Sequence, residues 1–350
     1  MQLKDCYYRD FEEIYKKTES NCYSFEGKTI LVCGGAGFLG ALFVRYLLFL
    51  NHFKFKNKCR IISLDNFLGR ERKDLLEDDT LINLHHDLTS SYLSLKLYKE
   101  KIDFIINCSG CASPYYYERY PLETMDVSTE GTKNLLQTAL SNNAKILNFS
   151  SSEVLGTPSK EFIPTDESYT PTAKTLDKRS CYDVTKMYIE TISYIFKDQF
   201  NVDCKIVRPF NVVGYFRQDD KRVIPNFISN CLKGEKMRIY APGTQTRTFC
   251  WYGDFLAGCI QVLTQGKDIL YHIGNPENEI SMVELAKLVE KVSGTKNMIE
   301  LIEPPIVYKH EPKRRCPSVK KIQKELGYVL DIDLEESLSR IYEWAKDNYK

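Results

Sequence analysis

The chain has 350 residues, of which 43% are hydrophobic and 27% charged, as expected for a globular protein large enough for two domains. Its formal net charge of +1 gives no global field that would attract nucleic acid or a membrane surface. The most apolar stretch, residues 42–50, is too short to cross a bilayer and contains Arg45. We therefore expect no nucleic-acid partner and no membrane partner.

The twelve cysteines are scattered along the chain, and the single CxxC, Cys108–Cys111, is not followed by a second pair at zinc-binding spacing. This distribution predicts reduced thiols that pack as small apolar side chains, with no metal site. The first residues carry no apolar core of signal-peptide length. Together these features favour a cytoplasmic location.

Residues 1–27 are polar and aromatic, and Tyr7, Phe11 and Ile14 fall near helical spacing, which predicts a short helix docked on the body or on a partner subunit. Further along, short apolar runs alternate with helical patterns. The runs are residues 28–33, 59–65, 103–108, 145–150 and 204–208, and the helical patterns include residues 41–53, 131–141 and 182–200. This alternation predicts an α/β fold with a doubly wound parallel sheet, the Rossmann arrangement.

After Pro209 the alternation breaks, because proline and glycine become frequent and short helices such as residues 281–293 alternate with loops. We expect a smaller C-terminal lobe that closes over the carboxyl edge of the sheet, where such sheets bind ligands. The predicted division is an N-terminal extension at 1–27, a Rossmann domain at 28–207 and a mainly substrate-binding lobe at 208–350.

Three glycines, Gly34, Gly37 and Gly40, lie between the first predicted strand and the first predicted helix of this domain. They permit a tight turn, the approach of a pyrophosphate to the backbone and close packing of helix on strand. The N-terminus of the predicted helix offers free amides and a partial positive charge to phosphate. The alternative is a glycine turn that serves packing alone.

Asp65 ends the second predicted strand, where a carboxylate can accept both hydroxyls of an adenosine ribose and repels a 2′-phosphate. This favours NAD over NADP, although Arg70 and Arg72 leave NADP open. Asp87 and Leu88 follow a third short strand, from which they are expected to reach the adenine.

Tyr182 and Lys186 are one helical turn apart, and the hydroxyl-rich run Ser150-Ser151-Ser152-Glu153 precedes them by about thirty residues. An unperturbed tyrosine has a pKa of about 10, too high for a base at neutral pH. An ammonium one turn away and a positive nicotinamide ring would both stabilise the phenolate. This pattern predicts that Tyr182 moves a proton while a nicotinamide cofactor takes a hydride; the alternative is a surface helix pair.

These motifs resemble those of the extended short-chain dehydrogenases/reductases, specifically the NAD-dependent nucleotide-sugar epimerase/dehydratase family. The similarity covers nearly all of residues 28–345 and is greatest to the UDP-glucuronate decarboxylases. The stretches that carry it are Leu64-Asp65-Asn66-Phe67, Ala112-Ser113-Pro114 with Tyr117 and Pro121, Ser151-Ser152-Glu153-Val154, Arg222-Val223-Ile224-Pro225-Asn226-Phe227, Gly243-Thr244-Gln245-Thr246-Arg247-Thr248-Phe249 and Pro312-Lys313-Arg314-Arg315-Cys316-Pro317.

Two of these stretches separate subfamilies. Thr248-Phe249 follows Arg247, as in the decarboxylases, whereas epimerases and glucose dehydratases of the family usually place aspartate directly after that arginine. Ser152-Glu153 stands where a 4,6-dehydratase typically has Asp-Glu, because water elimination needs a proton donor to the leaving hydroxyl. The chain also departs from the family at Cys33, Ser128, Leu155, Ser318 and residues 168–180, which leaves the exact sugar and nucleotide open.

The resemblance implies oxidation at C4 of UDP-glucuronate, loss of carbon dioxide from the 4-keto sugar and return of the hydride to give UDP-xylose. It implies three groups of site residues. The catalytic residues are Tyr182, Lys186, Ser151, Ser152 and Glu153; the NAD-binding residues are Gly34, Gly37, Phe38, Leu39, Gly40, Asp65, Asn66, Asp87, Leu88, Ser150, Tyr182 and Lys186; the substrate-binding residues are Tyr117, Asn211, Arg222, Arg247, Arg314 and Arg315.

Three alternatives stay open at this point: a nucleotide-hexose 4,6-dehydratase, a 4-epimerase of uronic sugars, and a non-catalytic dinucleotide-binding protein. The resemblance also implies a homodimer, because family members commonly pair through two helices per subunit. Here those helices would be residues 131–141 and 182–200 or their close neighbours.

Overall fold

The computed structural model describes residues 5–68, 75–90, 101–170, 172, 175–177, 179–218, 220–304 and 313–349. The sequence predictions for Arg70, Arg72 and Pro312, and part of the departure at 168–180, lie outside these ranges.

Seven parallel strands form the central sheet, in the spatial order β11-β6-β5-β4-β1-β2-β3. Their bounds are β1 Thr29–Cys33, β2 Arg60–Asp65, β3 Leu81–His85, β4 Phe104–Asn107, β5 Lys145–Phe149, β6 Cys204–Pro209 and β11 Leu270–Ile273. The order reverses between β1 and β4, which makes the gap between their carboxyl ends the expected ligand crevice. The predicted doubly wound parallel sheet is therefore confirmed.

Helices cover both faces of this sheet and build much of the C-terminal region. Their bounds are α1 Asp5–Cys22, α2 Phe38–Phe53, α3 Pro114–Arg119, α4 Pro121–Asp126, α5 Thr132–Asn142, α6 Ser180–Phe200, α7 Val223–Lys233, α8 Tyr252–Gln265, α9 Met282–Ser293, α10 Lys320–Leu326 and α11 Leu334–Asn348. A π-helical turn, Val127–Gly131, joins α4 to α5. No helix in the described ranges is both long and apolar enough to span a bilayer.

The strand β1 and the helix α2, on either side of the glycine loop, illustrate how the local sequence determines the secondary structure. β1 is buried along Ile30–Cys33, as a parallel strand covered on both faces must be. Gly37 is extended and α2 begins at Phe38, three residues before the predicted start. Most of α2 is then buried, including Leu42, Phe43 and Leu47. Its wide apolar face therefore packs on the sheet and is shielded from solvent.

The N-terminal extension forms an 18-residue helix, α1, longer than the short helix predicted, with a non-helical residue at Thr18. It packs on α8 and α2 of the same chain, and Phe11 and Ile14 are buried in the main core. The sequence left open whether this helix docks on the body of the same chain or on a partner subunit. In the structure it docks on the body.

The region after β6 contributes three small sheets as well as the seventh strand of the main one. Their strands are β7 Val212–Val213, β8 Met237–Tyr240, β9 Thr246–Thr248, β10 Cys250–Trp251, β12 Glu279–Ser281, β13 Ile299–Ile302 and β14 Arg314–Arg315. β9 lies between β12 and β14, and β8 pairs with β13. Because α8 and β11 pack with the central sheet, this region belongs partly to the nucleotide-binding half; the division into lobes stays a prediction.

Candidate active site

The glycine loop forms a tight turn between β1 and α2 that side chains would fill. Gly34 has φ +70°, and a Cβ there would lie 2.7 Å from the carbonyl oxygen of Cys108. A Cβ at Gly40 would lie 2.0 Å from the carbonyl oxygen of Gly34. Gly37 caps α2 without a side-chain hydrogen bond, so the first-turn amides at Phe38 and Leu39 have no side-chain cap. The loop thus has the shape and the donors that a pyrophosphate requires.

Asp65 stands at the end of β2 beside this loop. Its Oδ2 accepts the amide of Ala36 at 3.0 Å, and its Oδ1 accepts the amide of Phe67 at 2.7 Å. The carboxylate therefore fixes the loop and remains partly exposed at the position expected for an adenosine ribose. Asn66, next in the chain, accepts the amide of Leu68.

Asp87 and Leu88 follow β3, as predicted, but Asp87 holds a local turn. Its Oδ1 accepts the amide and the hydroxyl of Thr89. Although burial acts to raise it, the pKa of Asp87 is lowered by those hydrogen bonds. Leu88 is buried, and its carbonyl accepts the side chain of Asn134. Both residues lie one strand away from Asp65 on the same edge of the sheet.

Tyr182 lies in the first turn of α6, with Lys186 one turn further. The ring of Tyr117 stacks on that of Tyr182 with centroids 5.2 Å apart, and Ser151 forms a hydrogen bond with the Tyr182 hydroxyl. Lys186 is buried, and its Nζ lies 5.5 Å from the Tyr182 ring centroid and donates to the carbonyl of Phe149 at 2.8 Å. The predicted base, its cation and a serine hydroxyl are thus adjacent.

The electrostatics of this pair differ from the sequence prediction. Burial raises the pKa of Tyr182 above its ordinary value, although the hydrogen bond with Ser151 acts in the opposite direction. Burial also lowers the pKa of Lys186 to about 8. In the protein alone, desolvation therefore outweighs the stabilisation that Lys186 was expected to give the phenolate.

Ser150 and Ser152 differ from Ser151 in where they lie. Ser150 donates its hydroxyl to Glu190 at 2.5 Å, and Glu190 is also held by two hydrogen bonds from Arg208. The hydroxyl of Ser150 is thus directed to Glu190 on α6. Ser150 would therefore contact a cofactor through its backbone. Ser152 is buried at the start of the 3₁₀ turn Ser152–Leu155, which carries Glu153.

Glu153 is the centre of a charged cluster beside Tyr182. One of its oxygens accepts from Arg179 at 2.5 Å and the other from Arg315 on β14. Although burial acts to raise it, Arg315 and Arg179 hold the pKa of Glu153 below its usual range, and Arg247 adds to the effect. Arg247 is the register partner of Arg315 on the neighbouring strand β9. Three arginines around one carboxylate leave an excess of positive charge.

Two buried polar atoms of this cluster have no hydrogen-bond partner: Nε of Arg315 and Oδ1 of Asp183. Arg315 is only 4% exposed, so its free N–H cannot be satisfied by bulk water. Unpaired buried donors and acceptors at one place fit a site that a polar ligand completes. No group of three or more metal-ligating side chains occurs among the described residues.

The other predicted substrate residues are spread more widely. Arg314 forms a bidentate pair with Glu279 and is half exposed, whereas the next residue, Arg315, is buried and contacts Glu153. Arg222 pairs with Asp220 and lies over the rings of Phe38 and Phe216, beside the glycine loop. Asn211, which has φ +37°, donates to the carbonyl of Thr248 and so links β6 to β9.

Sequence reasoning missed Arg179 and Asp183. Arg179 precedes α6 within residues 168–180, which were identified only as a departure from the family, and no motif marks it. Asp183 lies within the Tyr182–Lys186 motif, directly after Tyr182, and that position was a signal that could have drawn attention to it.

Comparison with known proteins gives the family. The model of the NAD dependent epimerase/dehydratase family matches residues 30–274. The chain is 32% identical to UDP-glucuronic acid decarboxylase 3 of Arabidopsis thaliana over 313 residues, covering 88% of this chain and 86% of that protein. It is 31% identical to UDP-glucuronic acid decarboxylase 1 of Danio rerio over 321 residues, covering 91% and 72%.

Solved structures share the fold. An epimerase from Methanothermobacter thermautotrophicus superposes with a TM-score of 0.84 at 21% identity, covering 96% of this chain and 97% of that one. The UDP-glucuronic acid 4-epimerase of Bacillus cereus superposes with a TM-score of 0.78 at 23% identity, covering 92% and 100%. With a family match across most of the Rossmann sheet and relatives above 30% identity over nearly the whole chain, this protein belongs to the NAD-dependent epimerase/dehydratase family.

Proposed function

We propose that the protein is an NAD-dependent decarboxylase that converts UDP-glucuronate to UDP-xylose. The observation that carries this proposal is the arginine cluster around Glu153. A uronic acid brings a carboxylate to the site, and the three arginines there outnumber its two carboxyl groups, Glu153 and Asp183. The arginines are Arg179, Arg247 and Arg315. The curated relatives that match at 30–33% identity are named UDP-glucuronic acid decarboxylases, which supports the same substrate.

The glycine loop and Asp65 would hold NAD, which supplies a hydride acceptor at the sugar C4. Tyr182 would remove the proton of the 4-hydroxyl, with Ser151 hydrogen-bonded to the same oxygen. Because burial raises the pKa of Tyr182 in the protein alone, the positive charge of the oxidised cofactor is needed to lower it. Lys186, anchored on the carbonyl of Phe149, would contact the nicotinamide ribose.

The ketone formed at C4 lies beta to the C5 carboxylate and can accept the electrons released when carbon dioxide leaves. Glu153 is already held by Arg179 and Arg315, so it would orient the ring or a water rather than donate a proton. Arg247 would hold the substrate carboxylate or the diphosphate. Protonation of the resulting enolate at C5, followed by return of the hydride to C4 and of the Tyr182 proton to the 4-oxygen, would complete the pentose.

The direct test is incubation of the purified protein with UDP-glucuronate and NAD, followed by mass measurement of the nucleotide sugar and trapping of carbon dioxide. We expect carbon dioxide and a UDP-pentose. A UDP-uronic acid of unchanged mass but inverted C4 would instead identify a 4-epimerase.

A nucleotide-hexose 4,6-dehydratase is the second candidate, since a dTDP-glucose 4,6-dehydratase is among the similar structures. Ser152 stands at the position where such enzymes need an acid, and a serine hydroxyl is a poor proton donor to a leaving hydroxyl. A panel of neutral nucleotide hexoses, read for a 4-keto-6-deoxy product, separates this candidate from the decarboxylase.

We also propose a cytoplasmic homodimer. All twelve cysteines lie in the described part of the chain and are free thiols, as expected in a reducing compartment. Exposed apolar side chains cluster on α4, α5 and α6, which pack side by side. They are Leu122, Met125, Leu140, Tyr194, Ile195 and Phe200. A patch of this kind on adjacent helices supports association with a second copy of the chain.

A further inference from the structure

Asp183 is a carboxyl group to which the mechanism above gives no task. It follows Tyr182 directly, and its amide donates to the carbonyl of Arg179 in the first turn of α6. Its Oδ1 is buried and has no hydrogen-bond partner. A buried carboxyl oxygen without a partner is unfavourable unless the group is protonated or a ligand approaches it.

The charged groups that influence Asp183 come from several elements. Glu153 belongs to the turn after β5, Asp177 and Arg179 to the segment before α6, and Arg315 to β14. Burial raises the pKa values of Tyr117 on α3 and of Tyr182 and Cys181 on α6, and Asp183 in turn raises them further. The Asp183 carboxyl therefore interacts electrostatically with both the base and the arginine cluster.

The pKa values of the two carboxyl groups of this site are shifted in opposite directions. Glu153 is held ionised by its arginines, so its pKa is lowered. Burial, and then the negative charge of Glu153, raise the pKa of Asp183 to about 6. Such a division between neighbouring carboxyls commonly separates a fixed anion from a proton donor.

Decarboxylation needs a proton donor after the carbon–carbon bond has broken. When the bond from C5 to the carboxylate breaks, carbon dioxide leaves and its electron pair forms the C4–C5 enolate. Nearby, Tyr182 serves the 4-oxygen, Ser151 is bonded to Tyr182, and Lys186 is bonded to Phe149. Of the two carboxyl groups in the described part of this cluster, Glu153 is paired with Arg179 and Arg315, whereas the Oδ1 of Asp183 has no hydrogen-bond partner.

We infer that the Asp183 carboxyl, whose buried Oδ1 has no hydrogen-bond partner, delivers the proton to C5 of the sugar after carbon dioxide has left. This inference rests on the proposed decarboxylase function. The enolate electrons form the new C5–H bond, the C4 carbonyl is restored for hydride return, and the Asp183 carboxylate regains a proton from water. Overall, one carboxylate and one solvent proton become a C–H bond and carbon dioxide.

The test is turnover of UDP-glucuronate in deuterium oxide by the NAD-loaded enzyme. The wild type should place one deuterium at C5 in a single orientation, because a fixed acid delivers it to one face. Asp183→Asn should form NADH as fast as the wild type but consume it at least about a hundredfold more slowly. Its product should carry deuterium in both orientations, since water would then protonate the enolate from either face.

Asp198→Asn is the matched control, because Asp198 is an exposed carboxylate on the same helix. It should leave both the rate and the stereochemistry unchanged. If Asp183→Asn also keeps the wild-type rate of NADH consumption and a single orientation, Asp183 is not the donor. If the wild type releases no carbon dioxide, the proposed function itself fails and this inference fails with it.

Two further measurements do not depend on the asparagine variant folding. Asp183→Glu keeps an acid and should restore a single orientation at C5. In the wild type, the rate of NADH consumption should fall as the pH rises through about 6, because only the protonated carboxyl donates. A rate that is independent of pH over that range, together with mixed stereochemistry from Asp183→Glu, would overturn the inference.

Discussion

At the scale of single residues, the proposed chemistry depends on Tyr182, whose hydroxyl is hydrogen-bonded to Ser151 and whose ring stacks on that of Tyr117. Tyr182→Phe removes the proton acceptor and leaves the ring and its stacking in place. Turnover should fall by about a hundredfold or more, while NAD affinity and the melting temperature stay close to wild type. Steady-state kinetics with a cofactor titration check this, and more than a tenth of wild-type activity would exclude Tyr182 as the base.

Arg247 offers a second test at this scale, because its planar charged fork cannot be copied by lysine. If a uronic carboxylate or its diphosphate is held there, Arg247→Lys should reduce carbon dioxide release by roughly tenfold to a hundredfold and barely change NAD affinity. Arg238→Lys is the control, since Arg238 is 72% exposed and pairs with Glu300 on the surface. Equal losses in both variants would mean that Arg247 has no special role.

At the scale of elements, α1 is held by a buried charged network. Asp10 has no exposed side-chain surface, accepts the hydroxyls of Tyr215 and Tyr252 at 2.7 Å, and pairs with Arg340 of α11. Asp10→Asn should lower the free energy of unfolding by on the order of 3 kcal/mol, since breaking a buried pair leaves its partners unsatisfied. Urea denaturation measures the loss.

The control on the same helix is Glu12→Gln. Glu12 pairs with Lys54, and both side chains keep about a fifth of their surface exposed. Such a pair contributes at most about 1 kcal/mol. Equal destabilisation by Asp10→Asn and Glu12→Gln would show that the buried network does not anchor α1.

The sequence predicted secondary-structure elements and motifs, but it gave much less information about ion pairs between distant residues. The hydrophobic runs predicted the parallel sheet, and the glycines predicted the loop after its first strand. The one-turn spacing identified Tyr182 and Lys186. All of these signals are local in the chain. The Glu153–Arg315 pair joins residues 162 positions apart, and nothing local in either segment specifies it. The length of α1 was underestimated because its buried face is aromatic and mixed with charges.

At the scale of the whole molecule, the proposed homodimer connects association to catalysis. Helix α6 carries Tyr182 and Lys186 at its start and the exposed Tyr194, Ile195 and Phe200 towards its end. If two copies associate through this face, α6 is packed between its own sheet and the partner subunit. The melting temperature should then rise with protein concentration, because association stabilises only the folded chain.

The last prediction follows from that arrangement. Tyr194 is 58% exposed in the single chain, and a tyrosine buried at the centre of an interface commonly contributes about 2 kcal/mol or more. Tyr194→Arg should shift the sedimentation mass at micromolar concentration from two chains towards one and remove the concentration dependence of melting. Leu301→Arg, which replaces an equally exposed leucine on β13 in the other half of the molecule, should do neither. A wild-type mass of one chain would contradict the dimer, and catalysis would then need no support from a second copy at α6.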